Sequence, residues 1–276
     1  MTELASSDAK PRSRHASVIA GDRTTEVATG LQWRAHVPLA ADESWDGAVP
    51  GWLAELRRFR AEMLYADGLR PAFRGSDGIF CDDDPSDPFA YHVVAIDDGK
   101  PIATFRVLRL TATHSGVCER LLGTDVLNQW LSKLGIDRAQ AWEGSGWAVQ
   151  PTRRGSGVGL RTLAAGEAVA TQLGLTQGIG ATGTRYGQLQ RVLSAGYRPV
   201  PGLDPIPVPT LADDIQIVYG TLTALRPTFR ALVTQTANLL EWQDARPTGT
   251  AARTAGYRSH RQLQVDNPLG EPLTHS

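Results

Sequence analysis

The chain has 276 residues, 41% of them hydrophobic, with 28 Lys+Arg against 29 Asp+Glu. That length and apolar content support one sizeable core, and the near-neutral balance leaves no basic stripe for nucleic acid or an anionic membrane. No apolar run reaches the ~18 residues of a bilayer span, the N-terminal stretch lacks an apolar export core, and Cys81 and Cys118 make neither a CxxC pair nor a disulfide framework. These features point to a cytoplasmic protein.

Residues 1–30 are polar and without sustained periodicity, which predicts a disordered leader. Ordered structure is expected from near Trp52, in one domain over 31–244. Trp52, Leu56, Phe59 and Met63 recur at helical spacing, interleaved with Arg57, Arg58 and Arg60. A polar loop is predicted from Asp67 to Asp87. Tyr91–Ile96 and Ile102–Leu110, joined by Asp97-Asp98-Gly99-Lys100, read as an antiparallel hairpin. Leu127, Trp130, Leu131 and Leu134 mark a helix that Gly135 stops. Strands are predicted at 141–149 and 178–182, separated by a helix over 160–174. Leu189, Val192 and Leu193 give a further helix ending at Gly196. A proline-rich stretch, 199–209, reads as irregular, and Ile215, Ile217 and Tyr219 alternate as in a strand. Pro227 opens a last helix with Phe229, Leu232, Val233, Thr236 and Leu240 on one face. Residues 245–276 read as a poorly ordered tail. The expected fold class is a mixed α/β domain.

The stretch from Val149 to Leu160 carries the clearest chemistry. An apolar strand runs into Gln150-Pro151-Thr152-Arg153-Arg154-Gly155-Ser156-Gly157-Val158-Gly159, and a helix begins. Glycines here let backbone N–H groups approach a ligand at a helix N-terminus, where the dipole favours anions. Arg153 and Arg154 add charge suited to phosphate oxygens, so a pyrophosphate is the natural ligand. The run lacks the Gly-Lys-Ser/Thr ending of a nucleotide P-loop and misses the GxGxxG dinucleotide spacing.

Arg154, Gly157 and Gly159 resemble the Gln/Arg-x-x-Gly-x-Gly/Ala signature of the Gcn5-related N-acetyltransferase (GNAT) superfamily, and the likeness in element order covers about residues 52–225. The resemblance implies a central, mostly antiparallel mixed sheet with helices on both faces. The strand at 141–149 would splay from the strand at 178–182, and the gap would take the pantetheine arm of acyl-coenzyme A or of an acyl carrier protein. Trp147, Ala148 and Val149 would line that arm, the loop from Arg153 through Gly155, Ser156, Gly157, Val158 and Gly159 to Leu160 would hold the pyrophosphate, and the Val149 N–H would polarise the thioester carbonyl. A narrower resemblance, to the branch with acyl-homoserine-lactone synthases and N-acyl amino acid synthases, rests on several features. These are Arg60 in the first helix, the acidic run Asp82-Asp83-Asp84 with Asp87, Arg106 in the hairpin, and Glu143. The arginine that this branch carries three residues after the glutamate is replaced by Gly146.

Direct transfer needs a neutral amine, a route for its proton and a way to protonate the leaving thiolate. Alternation predicts Glu143, Ser145, Trp147 and Val149 on one strand face, with Trp142 opposite, which makes Glu143 the candidate base. The alternative is a structural glutamate paired with Arg106 or Arg109. The GNAT tyrosine four residues before a Gly-aromatic pair would fall at Val192, ahead of Gly196-Tyr197, so Tyr186 or Ser194 is the candidate acid. Arg106, Asp84 and Trp142 are expected to contact the acceptor. The acidic run lacks the Asp-x-Asp-x-Asp-Gly spacing of a calcium loop, so it reads as a solvated loop or one that attracts a cationic amine. His92 and His114 read as structural, and no metal site is expected. The resulting expectation is an N-acyltransferase acting on a small-molecule amine in secondary metabolism or signalling. The alternatives are a protein N-acetyltransferase and a domain that binds the donor without turnover.

Overall fold

The computed structural model describes residues 30–40, 45, 47–111 and 114–244. The expected tail at 245–276, and the expected leader apart from Gly30, lie outside the described residues. In chain order the elements are β1 (Gln32–His36), α1 (Gly51–Ala66), β2 (Tyr91–Asp97), β3 (Lys100–Arg109), α2 (Val117–Leu122), α3 (Thr124–Lys133), β4 (Ala141–Val149), α4 (Val158–Gln172), β5 (Gln177–Gly183), α5 (Gln188–Ala195), β6 (Arg198–Pro199), β7 (Ile206–Val208), β8 (Asp213–Thr221), α6 (Pro227–Ala237) and β9 (Leu240–Gln243).

The strands form one sheet in the order β6-β8-β5-β4-β3-β2-β1-β9, with β7 also paired to β8. Two pairings are parallel, β4 with β5 and β1 with β9, and the others are antiparallel. This is the mostly antiparallel mixed sheet that the sequence predicts. Successive β3 residues point to opposite faces. Phe105 meets Gly166 of α4 on one face, and Arg106 meets Arg60 and the acidic loop on the other. Helices α4 and α6 therefore cover one side, α1 and α2 the other. The α4 side is the main apolar core, including Trp33, Val93, Phe105, Trp142, Leu163 and Val169.

β1 revises the expectation that order begins near Trp52. Leu31, Trp33, Ala35 and Val37 alternate, and Trp33 is 2% exposed between β2 and β9. The last helix is shorter than its sequence face suggests: α6 stops at Ala237, and Leu240 starts β9 beside Trp33 instead of adding a turn. Within the proline-rich stretch, Arg198–Pro199 and Ile206–Val208 pair with β8 at the sheet edge, where a missing N–H is tolerated.

Candidate functional site

β4 and β5 pair only from Ala141–Gln177 to Gly144–Gly180. Past Gly144 the strands separate, which leaves one edge of 145–149 without a strand neighbour. Glycines make this possible: a Cβ on Gly144 or Gly166 would collide with the Phe105 ring, and one on Gly178 would meet Trp142. The Phe105 ring meets those of Trp142 and Trp147 edge to face, each at 6.4 Å between centroids.

The β3–β4 register slips between Thr104 and Arg106, so β4 carries one extra residue. Gly146, at φ +61°, sits in this bulge. The bulge overturns the expectation of one shared face. Glu143 and Ser145 point to the α1 and α2 side, whereas Trp147 and Val149 pack toward α4 with Trp142. At φ +61° any residue with a Cβ is strained at 146, which fits the glycine found there.

The Gln150 N–H donates to Ile102 O at 2.8 Å, so the neighbouring Ala103–Val149 pair is of the non-hydrogen-bonded type. The Val149 N–H and C=O therefore point away from β3, into the splay, and Arg154 Nε donates to that carbonyl at 3.2 Å. A cavity of about 310 Å3 adjoins this edge, lined by Trp147, Ala148, Val149, Arg154, Gly155, Gly157, Gly159 and Leu160, and opposite them by Arg185, Tyr186, Arg191 and Ser194. Gly157 takes φ +84° just ahead of α4, a conformation that side chains with a Cβ disfavour. Arg154 is held fork to fork by Asp67 at 2.7 Å for both bonds, and Arg153 is paired with Asp97.

A larger cavity of about 620 Å3 shares Leu64, Leu69, Trp147 and Gln188 with the first. Its α4 side is apolar, with Phe105, Trp142, Leu163, Val192, Tyr197 and Val218, and its other side carries Asp82, Asp83, Asp84, Arg106, Arg120 and Ser145. The charged wall is a buried ion lattice. Asp87 Oδ2 accepts from Arg60 at 2.6 Å and from Arg57 at 2.8 Å, and Asp87 Oδ1 accepts from Arg106 at 2.7 Å. Arg60 also donates to Asp82 at 2.6 Å, Arg106 to Asp84 at 2.7 Å and to Ser145 Oγ at 3.0 Å, and Arg120 to Asp84 at 2.9 Å. Arg57 also pairs with Asp83. Burial alone would raise the Asp87 carboxyl, but Arg60 and then Arg106 hold it well below the usual range. The acidic run is therefore solvated only at Asp83: Asp82 and Asp87 are buried, and Arg60 is fully buried against them. Beneath it His92 Nε2 donates to the Asp87 carbonyl at 2.9 Å, and burial pushes the imidazole down to about 3, so it is neutral.

Glu143 pairs with neither Arg106 nor Arg109. Its two oxygens accept from the Val117 N–H at 2.6 Å and the Cys118 N–H at 2.9 Å, which are unsatisfied donors of the first turn of α2. Burial pushes its carboxyl up. It stands behind the cavity, while Val117, Arg120 and Leu121 of the helix it anchors form part of the wall. Tyr186 is 63% exposed on the rim of the smaller cavity, and Ser194 Oγ donates to Arg191 O at 2.7 Å. Neither lines the larger cavity. Tyr197 does, with its hydroxyl committed to Glu167 of α4, whose carboxyl burial pushes up to about 7. Among the described residues no cluster of His, Cys, Asp and Glu could hold a metal, and no helix is long and apolar enough to cross a membrane.

No protein-family profile matches the chain, and no curated protein matches it in sequence. Solved structures do. The CoA-dependent acyl-homoserine lactone synthase BjaI, with SAM and isopentyl-CoA, superposes with a TM-score of 0.54 at 18% identity, covering 79% of this chain and 95% of that one. BjaI with MTA gives 0.54 at 17% identity over the same shares. The likeness is one of fold. The splayed mixed sheet, the helices on both faces and the glycine loop ahead of α4 are the arrangement that the resemblance in the sequence implies.

Proposed function

We propose that this chain is an N-acyltransferase that moves an acyl group from a pantetheine thioester to the amine of a small molecule. The observation that carries this reading is the end of β4–β5 pairing at Gly144–Gly180. Beyond it, a backbone-lined cleft opens beside a cavity with one apolar and one charged wall.

In this reading the pyrophosphate lies on the loop from Arg153 to Gly159, against the first amides of α4. The pantetheine arm runs along Trp147, Ala148 and Val149, whose free edge offers peptide groups to its amides. The Val149 N–H faces the splay and meets the thioester oxygen, where it stabilises the oxyanion as charge develops. The acyl chain takes the apolar wall at Phe105 and Trp142. The amine comes from the side of Asp82, Asp83 and Asp84, whose remaining carboxylate lone pairs can accept from its N–H groups on a wall that four arginines leave without net charge. Arg106 and Asp84 hold that wall in shape, since their charged groups are already engaged with each other and with Asp87 and Arg120.

Attack by the neutral amine forms the C–N bond and breaks the C–S bond, and the proton that the nitrogen sheds passes to water. With valine at 192, Tyr186 on the outer rim and Ser194 bonded to Arg191, the leaving thiolate takes its proton from water, which its low basicity permits. Glu143 serves as a positioning residue, fixing α2 and through it Val117 and Arg120. The likeness to BjaI, whose structure holds SAM and isopentyl-CoA, supports signal biosynthesis and makes SAM the first amine to test.

The test is thiol release from isopentyl-CoA and longer acyl-CoAs, with and without SAM and a panel of small amines. Release that depends on the amine, with the acylated amine found by mass spectrometry, is the expected result. Donor binding without release under any amine would mean that the domain binds and does not transfer.

A further inference from the structure

We infer that Arg185, Tyr186 and Arg191 form a clamp for the adenosine 3′-phosphate end of coenzyme A, so that the donor is the free coenzyme and not a carrier-borne arm. The inference rests on the donor reading above and deepens it.

Three observations converge. The first concerns charge. The cleft beside the glycine loop is lined by Arg154, Arg185 and Arg191 and by one carboxylate, Asp67. Asp67 is spent on both arms of the Arg154 fork, and Arg153, just outside, is paired with Asp97. Neither Arg185 nor Arg191 has a carboxylate partner among the described residues. Two unneutralised guanidinium groups therefore stand on the wall opposite the loop. The pyrophosphate belongs at the loop itself, where the glycine amides and the start of α4 are. A second pair of cations across the cleft calls for a second anionic group. Coenzyme A carries one in its 3′-phosphate, whereas a carrier-borne phosphopantetheine ends in a single phosphodiester.

The second observation is strain. Tyr186 sits at φ +56°, ψ +19°, a left-handed conformation that costs a bulky L-residue ~1 kcal/mol or more. The Arg191 guanidinium donates to its carbonyl at 3.1 Å and helps to hold this turn. The third is exposure. A tyrosine 63% exposed at the rim of a cavity presents an aromatic face to whatever the cavity holds. Stacking of a base on such a ring contributes ~1–3 kcal/mol. A ring for the adenine, flanked by two arginines for the phosphate on its ribose, matches the nucleotide in both respects. All three residues line a concavity, which fits a small ligand better than the convex helix of a carrier protein.

The experiment is calorimetric titration of the whole chain with coenzyme A and with 3′-dephospho-coenzyme A, which lacks that phosphate alone. Wild type, R185E/R191E, Y186A and G157V are compared. Each is first checked by thermal unfolding, because Arg185, Tyr186 and Arg191 are exposed and their substitution leaves the core intact. Wild type is expected to prefer coenzyme A by roughly tenfold, the margin of one charge-assisted contact pair. R185E/R191E should lose that preference, and Y186A should weaken both ligands by a similar factor. Equal affinity of the wild type for the two ligands would overturn the clamp, as would a preference that survives in R185E/R191E. In either case weakened binding by G157V would leave the donor reading standing. Binding of neither ligand by wild type would overturn the clamp and leave a carrier-borne arm as the donor to test. Acyl transfer from an acyl carrier protein that falls in R185E/R191E, with no preference between the two small ligands, would assign the arginines to the acidic carrier and overturn the clamp.

Discussion

The two walls of the splay are made of opposite materials. On the donor side the chain presents backbone: glycines, the free edge of β4 and the first amides of α4, with arginines near the surface. On the acceptor side it presents side chains, with four arginines and four aspartates drawn from α1, the acidic loop, β3 and α2 into a lattice around Asp87. A wall of backbone can receive a ligand by small adjustments of φ and ψ. A wall of interlocked charges is rigid, because moving one member exposes several others to unpaired burial. In the proposed reading the backbone wall would receive the pantetheine arm by such adjustments, and the charged wall would serve as a fixed template for the amine.

The largest test of this contrast is Asp87→Asn. It leaves Arg57, Arg60 and Arg106 short of a buried counter-charge and is expected to cost about 3–5 kcal/mol in urea unfolding. A cost below 1 kcal/mol would mean that the lattice does not hold the acceptor wall. Next is Glu167→Gln, which examines the buried carboxylate of α4. The Glu167 carboxyl rises from 4.5 to about 7 on folding. Its contribution to stability is complete below pH 4.5 and is lost as pH rises to 7, about 3 kcal/mol in all. The glutamine variant should therefore unfold at higher urea than wild type at pH 8 and at similar urea near pH 4.5. An identical pH profile for the two proteins would remove Glu167 from the account.

Glu143→Gln comes third. The amide offers one acceptor where the carboxylate offered two to the start of α2, so a loss of about 1–3 kcal/mol is expected. Turnover should fall with the helix, and raising the pH should not rescue it. A large drop in kcat at unchanged stability would restore Glu143 as the base. The smallest is Gly157→Val, where the left-handed backbone costs the new side chain about 1–2 kcal/mol. Its main effect should be weaker coenzyme A binding in calorimetry, with the acceptor wall undisturbed.

The same contrast explains what the sequence disclosed. The donor loop is local: Arg154, Gly157 and Gly159 lie within six residues, so spacing alone exposed it, and β4 and β5 followed from their apolar runs. The acceptor wall is assembled from residues 57, 60, 82–87, 106 and 120. Linear reading placed Arg57 and Arg60 between the apolar positions of a helix, weighed the acidic run by itself, brought in Arg106 through family likeness, and did not show that they bind one another. Strand alternation failed at a single residue, because Gly146 adds one position to β4 and turns Trp147 and Val149 over. The Gly144-Ser145-Gly146 triplet was the available sign, since a glycine inside a strand often marks a bulge. β1 was missed although Leu31, Trp33, Ala35 and Val37 alternate, because polar neighbours on both sides masked so short a strand.

Asp87 also bears on how the molecule comes together. Its two oxygens join partners 30, 27 and 19 residues away in sequence, on two different elements. The full set cannot form until the loop has closed onto both α1 and β3, and such closures are what slow a folding chain. Arginines that meet before the aspartate arrives repel one another. The acceptor wall is therefore a keystone structure, locked only by its final piece. A partly folded chain would already carry its local glycine loop, but it would lack the assembled charged wall.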